Sequence, residues 1–249
     1  MEVLFARARI ASTSCGEAER ADEPQPLAIP EGARLRVVGD VHGDARGFAA
    51  AAEGERFVVQ LGDLTDHGPD SAGALRTMLA LIEAGRGLFL LGNHDLKLAR
   101  ALAGRQVRRD PPLVATLASL DPELAERALA TIARAPAWLG AGRSFFVHAA
   151  FDMGMLLGPP PPAPIERPVP PLVARALYGQ PTGRMQPDGY PERSLRWMDR
   201  IPAGLTVYCG HDCRSRDGRP YVRRNEAGGV AVFLDTGAGK GGHLSWIDL

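Results

Sequence analysis

Short apolar runs followed by glycine recur along the chain. Runs of this length, rich in branched residues, are typical of buried β-strands. Seven runs predict strands: RLRVV (34–38), FVVQL (57–61), GLFLL (87–91), SFFVH (144–148), LTVYCG (205–210), VAVFLDTG (230–237) and HLSWIDL (243–249). In the last run Leu244, Trp246 and Leu249 alternate with polar neighbours, which is typical of a strand with one buried face.

Segments with helical periodicity lie between the predicted strands. Residues 70–84 repeat apolar side chains at helical spacing, namely Ala74, Leu75, Met78, Leu79 and Ile82. A further helix is predicted over 47–55, and three more lie within 94–135. This alternation of strand and helix predicts an α/β fold in which helices pack on a parallel sheet.

We predict one domain, residues 34–249, preceded by an N-terminal arm or peripheral strand over residues 1–33. The length of 249 residues fits one α/β domain with an insertion. The stretch 158–171 contains eight prolines, which exclude a helix or a central strand. It predicts a stiff loop within a proline-rich cap insertion at about 152–200.

Composition and charge narrow the class of protein. The formal net charge is zero, so no global field attracts nucleic acid or a membrane surface, and an anion must be bound locally. No apolar run approaches the length of a membrane span. The cysteines Cys15, Cys209 and Cys213 are sparse and unpatterned, which predicts free thiols and a cytoplasmic location.

Acidic, amide and imidazole side chains follow the predicted strands. They form the clusters GDVHG (39–43), GDLTDHGP (62–69) and GNHD (92–95), joined by His148 and His211. Ligands bind at the carboxyl ends of strands in α/β sheets, so we expect these side chains to converge. A lone histidine after a strand is commonly structural, but five of the six histidines, all except His243, occupy such positions.

The residue types in these clusters suit divalent cations. Carboxylate, imidazole and amide ligands without thiolate favour Mn, Fe or Zn. The candidates are too many for one ion, and a carboxylate can bridge two cations about 3.5–4 Å apart. The sequence therefore predicts a pair of divalent metal ions.

The ordered set GDVHG, GDLTDHGP, GNHD, VHAA, GHD and LDTGAGKGG resembles the signature of the PPP branch of the calcineurin-like metallophosphatases. The resemblance runs from about Leu35 to Leu249. GNHDLKLARALAG and DGYPERSLRW look most similar to the phosphatase domain of bacterial polynucleotide kinase–phosphatases. Diadenosine tetraphosphate hydrolases and bacterial serine/threonine phosphatases are near relatives. The resemblance implies a metallophosphatase sandwich: two mixed β-sheets flanked by helices, with a dinuclear metal site at the strand carboxyl ends.

The resemblance also implies a role for each clustered residue. Asp66 would pair with the general acid His94 and keep it protonated. Asp235 would be the hydrogen-bond partner that orients a ligand histidine. The implied cofactors are two divalent ions, with Mn favoured and Fe, Zn or Ni accepted. The implied metal ligands are Asp40 and His42 for the first ion, Asp63 as the bridge, and Asn93, His148 and His211 for the second.

Two features depart from familiar patterns. His67 stands where the family usually has an arginine, whose planar fork grips phosphate. Either protonated His67 contacts phosphate or another arginine does so, and the candidates are Arg184, Arg193 and Arg196. GAGKGG (237–242) fails the Walker A spacing, which requires a glycine at Leu234 and a serine or threonine at Gly241. We interpret it as a tight turn and predict no nucleotide-binding P-loop.

The resemblance implies a phosphoesterase that hydrolyses phosphomonoesters by attack of a metal-bridging water or hydroxide. Its substrate partner would be a nucleotide or a nucleic-acid end. The alternatives are a serine/threonine phosphatase acting on phosphoproteins and a dinucleoside polyphosphate hydrolase. His67 motivates another class, a pseudo-phosphatase that binds phosphorylated ligands without turnover. Retention of His94 and Asp66, which a pure binder does not need, argues against that class.

Overall fold

The computed structural model of the protein describes residues 28–186 and 189–249. Most of the predicted N-terminal arm, residues 1–27, lies outside the described residues, as does Cys15. The elements in chain order are β1 Leu35–Val38, α1 Ala45–Ala51, β2 Phe57–Gln60, α2 Ser71–Glu83, β3 Gly87–Phe89, α3 Asn93–Leu102, α4 Pro111–Ser119, α5 Pro122–Arg134, β4 Trp138–Ala141, β5 Ser144–Val147, α6 Pro171–Tyr178, β6 Pro181–Met185, β7 Pro191–Arg193, β8 Thr206–Cys209, β9 Tyr221–Arg224, β10 Val230–Phe233 and β11 Trp246–Asp248.

Two mixed sheets form the framework. The first has the order β11-β1-β2-β3, and the second has the order β4-β5-β8-β10-β9. In the first sheet β1, β2 and β3 are parallel and β11 is antiparallel to β1. In the second, β5, β8 and β10 are parallel, and the edge strands β4 and β9 are antiparallel to their neighbours. The predicted α/β architecture with two mixed sheets is confirmed.

Side chains that alternate along the strands belong to two different hydrophobic cores. Val37 and Val59 of the first sheet share one core with Phe146, Tyr208 and Val232 of the second. This core therefore lies between the two sheets. The other core joins the opposite strand faces to the helices. The helices consequently flank the sheets, because each sheet has one face on its partner and one on helices.

Local sequence explains where several helices begin. Asp44 and Asp70 cap α1 and α2 by accepting hydrogen bonds from the backbone N–H groups of Gly47 and Gly73. Proline occupies the first turn of α4, α5 and α6, where its missing N–H costs no helical hydrogen bond. The sequence missed α6, and residues 158–170 before it contain no helix or strand.

Two strands differ from what the sequence pattern indicates. Tyr221–Arg224 has no buried apolar run, yet it is an exposed edge strand because its backbone pairs with β10. In β11 the antiparallel register on β1 places Ile247 opposite Val37 and against the core between the sheets. Trp246 is therefore 40% exposed, since neighbouring strand residues face opposite sides.

Candidate active site

The clustered side chains meet at the carboxyl ends of the parallel strands. Each follows a strand directly or opens the next helix, as Asn93 does at the start of α3 after β3. Five non-glycine residues of the described chain have positive φ angles: His42, Asp63, Asp66, His67 and His211. Such backbone conformations are uncommon and concentrate at functional sites. The fold therefore holds strained residues where the sequence placed its candidates.

The first cluster contains Asp40, His42 and Asp63. The Nε2 atom of His42 lies 3.7 Å from a carboxylate oxygen of Asp40 and 3.7 Å from one of Asp63. Nδ1 lies 3.1 Å from the carbonyl oxygen of Thr65, which fixes the ring. Within the described residues, the buried Nε2 has no hydrogen-bond partner. The atom that could bind a metal thus faces two carboxylates.

The second cluster shares Asp63 with the first. The Nε2 atom of His148 lies 3.1 Å from Asn93 Oδ1, 3.1 Å from His211 Nδ1 and 3.5 Å from Asp63 Oδ2. Its Nδ1 lies 2.9 Å from the carbonyl oxygen of Leu61, which points Nε2 inward. Asp63 lies between the two clusters, where a bridging carboxylate would have to be. Its bridging role stays a prediction.

The donor set fits divalent cations. Burial, and then the charge of Asp235, raises the pKa of Asp40 well above its usual range. Burial lowers the pKa of His42 and of His211 well below the usual value, which favours the neutral imidazole that metal binding requires. The carboxylates and imidazoles lie close enough to form groups whose ligand atoms are all within 4.8 Å of one another. Such His/Asp clusters are typical of dinuclear metallophosphatases.

His94 and Asp66 form a pair at the edge of the first cluster. The Nδ1 atom of His94 lies 2.6 Å from Asp66 Oδ2. Burial alone would raise the pKa of Asp66, but hydrogen bonds from His94, Thr116 and Lys97 lower it to about 2. Thr116 donates to Oδ1 at 2.7 Å and Lys97 Nζ lies 3.0 Å from Oδ2. Asp66 is therefore a buried anion held in place on both oxygens.

Sequence reasoning missed Lys97, Thr116 and Asp95 as parts of the site. Lys97 follows His94 by three positions on α3, so helical spacing could have indicated that the two side chains are neighbours. Thr116 lies 50 residues from Asp66, and no local pattern indicates that contact. Asp95 is buried and accepts hydrogen bonds from the backbone N–H groups of Asp63, Leu64 and Gly92.

We expect Asp95→Asn to weaken metal binding without removing a ligand. The amide replaces one acceptor oxygen by a donor, so buried N–H groups around Asp63 lose partners. Mutation of groups that orient ligands typically costs about 10–100-fold in affinity. Titration with Mn²⁺ in a calorimeter measures this loss. Asp121→Asn is the control, because Asp121 caps α5 and asparagine caps a helix equally well. Equal affinities in the two variants would contradict the orienting role.

The remaining predicted site residues lie at different distances from the clusters. The His67 ring lies 5.0 Å from the His42 ring and 5.1 Å from the His94 ring. Burial, and then the charge of Lys240, lowers the pKa of His67 to about 4. At neutral pH it is therefore uncharged, which disfavours the suggestion that protonated His67 grips phosphate. Asp235 is buried, and its Oδ1 accepts a hydrogen bond from the Gly237 N–H.

The three candidate arginines differ in their surroundings. Arg193 and His211 both line a small cavity of about 10 Å³, and Arg193 Nε donates to the Tyr178 carbonyl at 3.2 Å. Arg196 lines another cavity, of about 200 Å³, beside Arg175. Arg184 is paired with Glu192 at 2.6 Å. The structure thus brings Arg193 beside a clustered histidine, whereas the substrate-binding roles of His67, Arg193 and Arg196 stay predictions.

Comparison with known proteins decides the family. Residues 33–165 match the family model for calcineurin-like phosphoesterases. The chain belongs to this family. The predicted family and the predicted class, a phosphoric ester hydrolase, are confirmed. Among residues 28–186 and 189–249, no helix of this phosphoesterase has the length and apolar character needed to cross a membrane.

Relatives with stated activities cover most of the phosphoesterase. It is 29% identical to the asymmetrical bis(5′-nucleosyl)-tetraphosphatase PrpE of Geobacillus thermodenitrificans, over 85% of this chain and 88% of that protein. A shorter match, 51% identical, covers 20% of this chain and 16% of a symmetrical bis(5′-nucleosyl)-tetraphosphatase of Ralstonia nicotianae. A crystal structure described provisionally as a diadenosine tetraphosphatase shares the fold, with a TM-score of 0.56, 22% identity and coverage of 89% and 91% of the two chains.

Proposed function

We propose that this phosphoesterase hydrolyses bis(5′-nucleosyl) tetraphosphates asymmetrically, giving a nucleoside triphosphate and a nucleoside monophosphate. The observation that carries the proposal is the similarity to PrpE, which spans 85% of this chain and 88% of that protein. This similarity supports the dinucleoside polyphosphate alternative better than the hydrolysis of phosphomonoesters or nucleic-acid ends that the motifs favoured. The two clusters of carboxylates and histidines could hold metal ions, and metal ions assist hydrolysis at phosphorus.

We further propose how the clusters hold two divalent cations. Such a pair supplies Lewis-acid polarisation of a phosphoryl oxygen and lowers the pKa of a water nucleophile. The ligand atoms that face the clusters are the unpartnered Nε2 of His42 and the inward Nε2 of His148. The proposed ligands are Asp40 and His42 for one cation, Asn93, His148 and His211 for the other, and Asp63 for both.

His94 is proposed to protonate the leaving oxygen. Asp66 holds its Nδ1 at 2.6 Å, which leaves Nε2 as the ring nitrogen that can face a substrate. Lys97 and Thr116 keep Asp66 in place, so its carboxylate is fixed beside the His94 ring. This arrangement gives the site an acid whose position does not depend on the substrate.

The segment 152–200 is proposed to contact the part of the substrate beyond the reacting phosphate. Arg193 belongs to β7 within this segment and lines the same small cavity as His211. It also lines an adjoining cavity of about 360 Å³ with Arg184 and Arg214. A chain with zero net charge must bind a polyanion through such local groups. This cavity is proposed to bind the phosphates of the tetraphosphate that do not react.

We expect the enzyme, supplied with Mn²⁺, to convert diadenosine tetraphosphate to ATP and AMP. Asymmetrical attack breaks the bridge between the first and second phosphates, whereas symmetrical attack gives two molecules of ADP. Anion-exchange chromatography of the products measures which bond breaks. Parallel reactions with 5′-phosphorylated RNA and a phosphoserine peptide compare the alternative substrates under the same conditions.

Two results would contradict the proposal. Production of ADP alone would assign symmetrical cleavage instead. A kcat/KM for phosphorylated RNA or phosphopeptide above that for diadenosine tetraphosphate would move the substrate to a nucleic-acid end or a phosphoprotein. Neither result would alter the family or the class of reaction, which rest on residues 33–165.

A further inference from the structure

The loop between β10 and β11 presses against the candidate active site. Gly237, Gly239 and Gly241 have φ angles of +81°, +68° and +87°, a left-handed conformation that favours glycine. A methyl group added at Gly239 would lie 2.3 Å from the carbonyl oxygen of His42 and 3.1 Å from the Gly68 nitrogen. The loop therefore touches the backbone beside His42 and His67, and it presents its next residue at the edge of the first cluster.

That next residue is Lys240. Its backbone N–H donates to the Gly237 carbonyl at 3.0 Å, which closes the tight turn, and its side chain is exposed. Within the described residues its ammonium group has no ion-pair partner. Lys97, in contrast, is held by Asp66 at 3.0 Å and Asp110 at 3.1 Å. Lys240 is therefore a cation at the site that is free to bind an external anion.

Both lysines of the sequence have their backbone beside the clusters, since Lys97 follows His94 by three positions in α3 and Lys240 follows Gly239 directly. Of the 29 Lys and Arg residues in the sequence, only Lys97 and Lys240 are lysines. Both lysines thus lie at the active site.

We infer that the ammonium group of Lys240 binds an oxygen of the substrate phosphate beside His42 and His67. His67 stands where the family resemblance implies an arginine, and an imidazole cannot form the planar fork of a guanidinium. An ammonium group donates three hydrogen bonds and needs no planar alignment with its acceptor. Lys240, in the β10–β11 loop, thus provides the positive charge that an arginine in place of His67 would provide. The inference rests on the phosphoesterase reaction and does not depend on the tetraphosphate substrate.

Phosphate protection tests the contact without measuring turnover. The Mn²⁺-loaded enzyme is treated with an amine-acylating reagent, with and without inorganic phosphate, and modification of both lysines is followed by mass spectrometry. Phosphate should slow the acylation of Lys240 markedly and leave the ion-paired Lys97 unchanged. Equal acylation of Lys240 with and without phosphate would overturn the inference.

Kinetics of variants test what the contact contributes. Lys240→Met should lower kcat/KM for p-nitrophenyl phosphate by roughly 10- to 100-fold, the effect of losing one hydrogen bond between charged groups. Lys240→Arg should retain most of the activity. Arg34→Met is the matched control, because Arg34 is exposed and precedes β1 at the opposite end of the strand from the site. The inference is wrong if Lys240→Met loses no more activity than Arg34→Met. Because p-nitrophenyl phosphate is not a tetraphosphate, failure of the proposed substrate would leave this result interpretable.

Discussion

Asp63→Asn should remove most of the activity of the phosphoesterase. Asp63 lies in both clusters, 3.7 Å from His42 Nε2 and 3.5 Å from His148 Nε2, so it is the side chain that both proposed cations share. An amide supplies a neutral oxygen in place of an anion, which weakens the attraction for two dications at once. Loss of groups that only orient ligands costs about 10–100-fold. Loss of the shared ligand should therefore cost at least about 100-fold.

Metal content measured beside turnover separates the role of Asp63 from a general effect on folding. Elemental analysis should show that Asp63→Asn retains less metal than the wild type after the same dialysis. Asp70→Asn is the control, since Asp70 caps α2 near the same loop and asparagine preserves the cap. A variant with full metal content and a near-normal rate would show that Asp63 does not join the two clusters.

His94→Ala should discriminate between substrates by the leaving group. An alkoxide from serine or ribose needs protonation as it leaves, whereas p-nitrophenolate needs little. General acid catalysis typically contributes about 10²–10⁴-fold. Alkyl phosphates should therefore lose activity within that range, and p-nitrophenyl phosphate distinctly less. A tetraphosphate, whose leaving group is itself a phosphate, should resemble the aryl ester.

The variant Asp66→Asn tests the same pair independently. Because the pKa of Asp66 is about 2, its carboxylate remains charged throughout the neutral range and accepts the hydrogen bond from His94 Nδ1. Removing that charge should slow the hydrolysis of alkyl phosphates more than that of p-nitrophenyl phosphate, in the same direction as His94→Ala. Metal content should stay nearly unchanged in both variants. If His94→Ala empties a metal site, or slows aryl and alkyl esters equally, His94 is not the acid.

Local sequence indicated much of the fold and of the clusters. Asp40, Asp63 and Asn93 each lie within a few residues of a strand that ends in glycine, so a short pattern contained both the strand and its candidate ligand. The parallel topology then brought them together, because the carboxyl ends of parallel strands meet at one edge. Long-range packing accounts for what the pattern missed. Thr116 reaches Asp66 from 50 residues away, and the glycine loop meets His42 only because β11 returns to β1.

The structure differs from the sequence pattern where backbone pairing overrides side-chain character. β9 consists of exposed residues, YVRR, that look like a solvated loop, yet its hydrogen bonds to β10 make it a strand. In β11 the register with β1 decided that Ile247 faces the core and Trp246 faces solvent. Register is set by the partner strand, which lies far away in sequence, so a one-residue error in phase exchanges the two faces.

Anomalous X-ray scattering from crystals of the enzyme grown with Mn²⁺ tests the proposed metal pair most directly. We expect two cation peaks per chain, about 4 Å apart, with Asp63 in contact with both. One peak should lie beside Asp40 and His42, and the other beside Asn93, His148 and His211. A single peak, or two peaks with Asp63 bound to only one of them, would contradict the proposal of a carboxylate-bridged pair of cations.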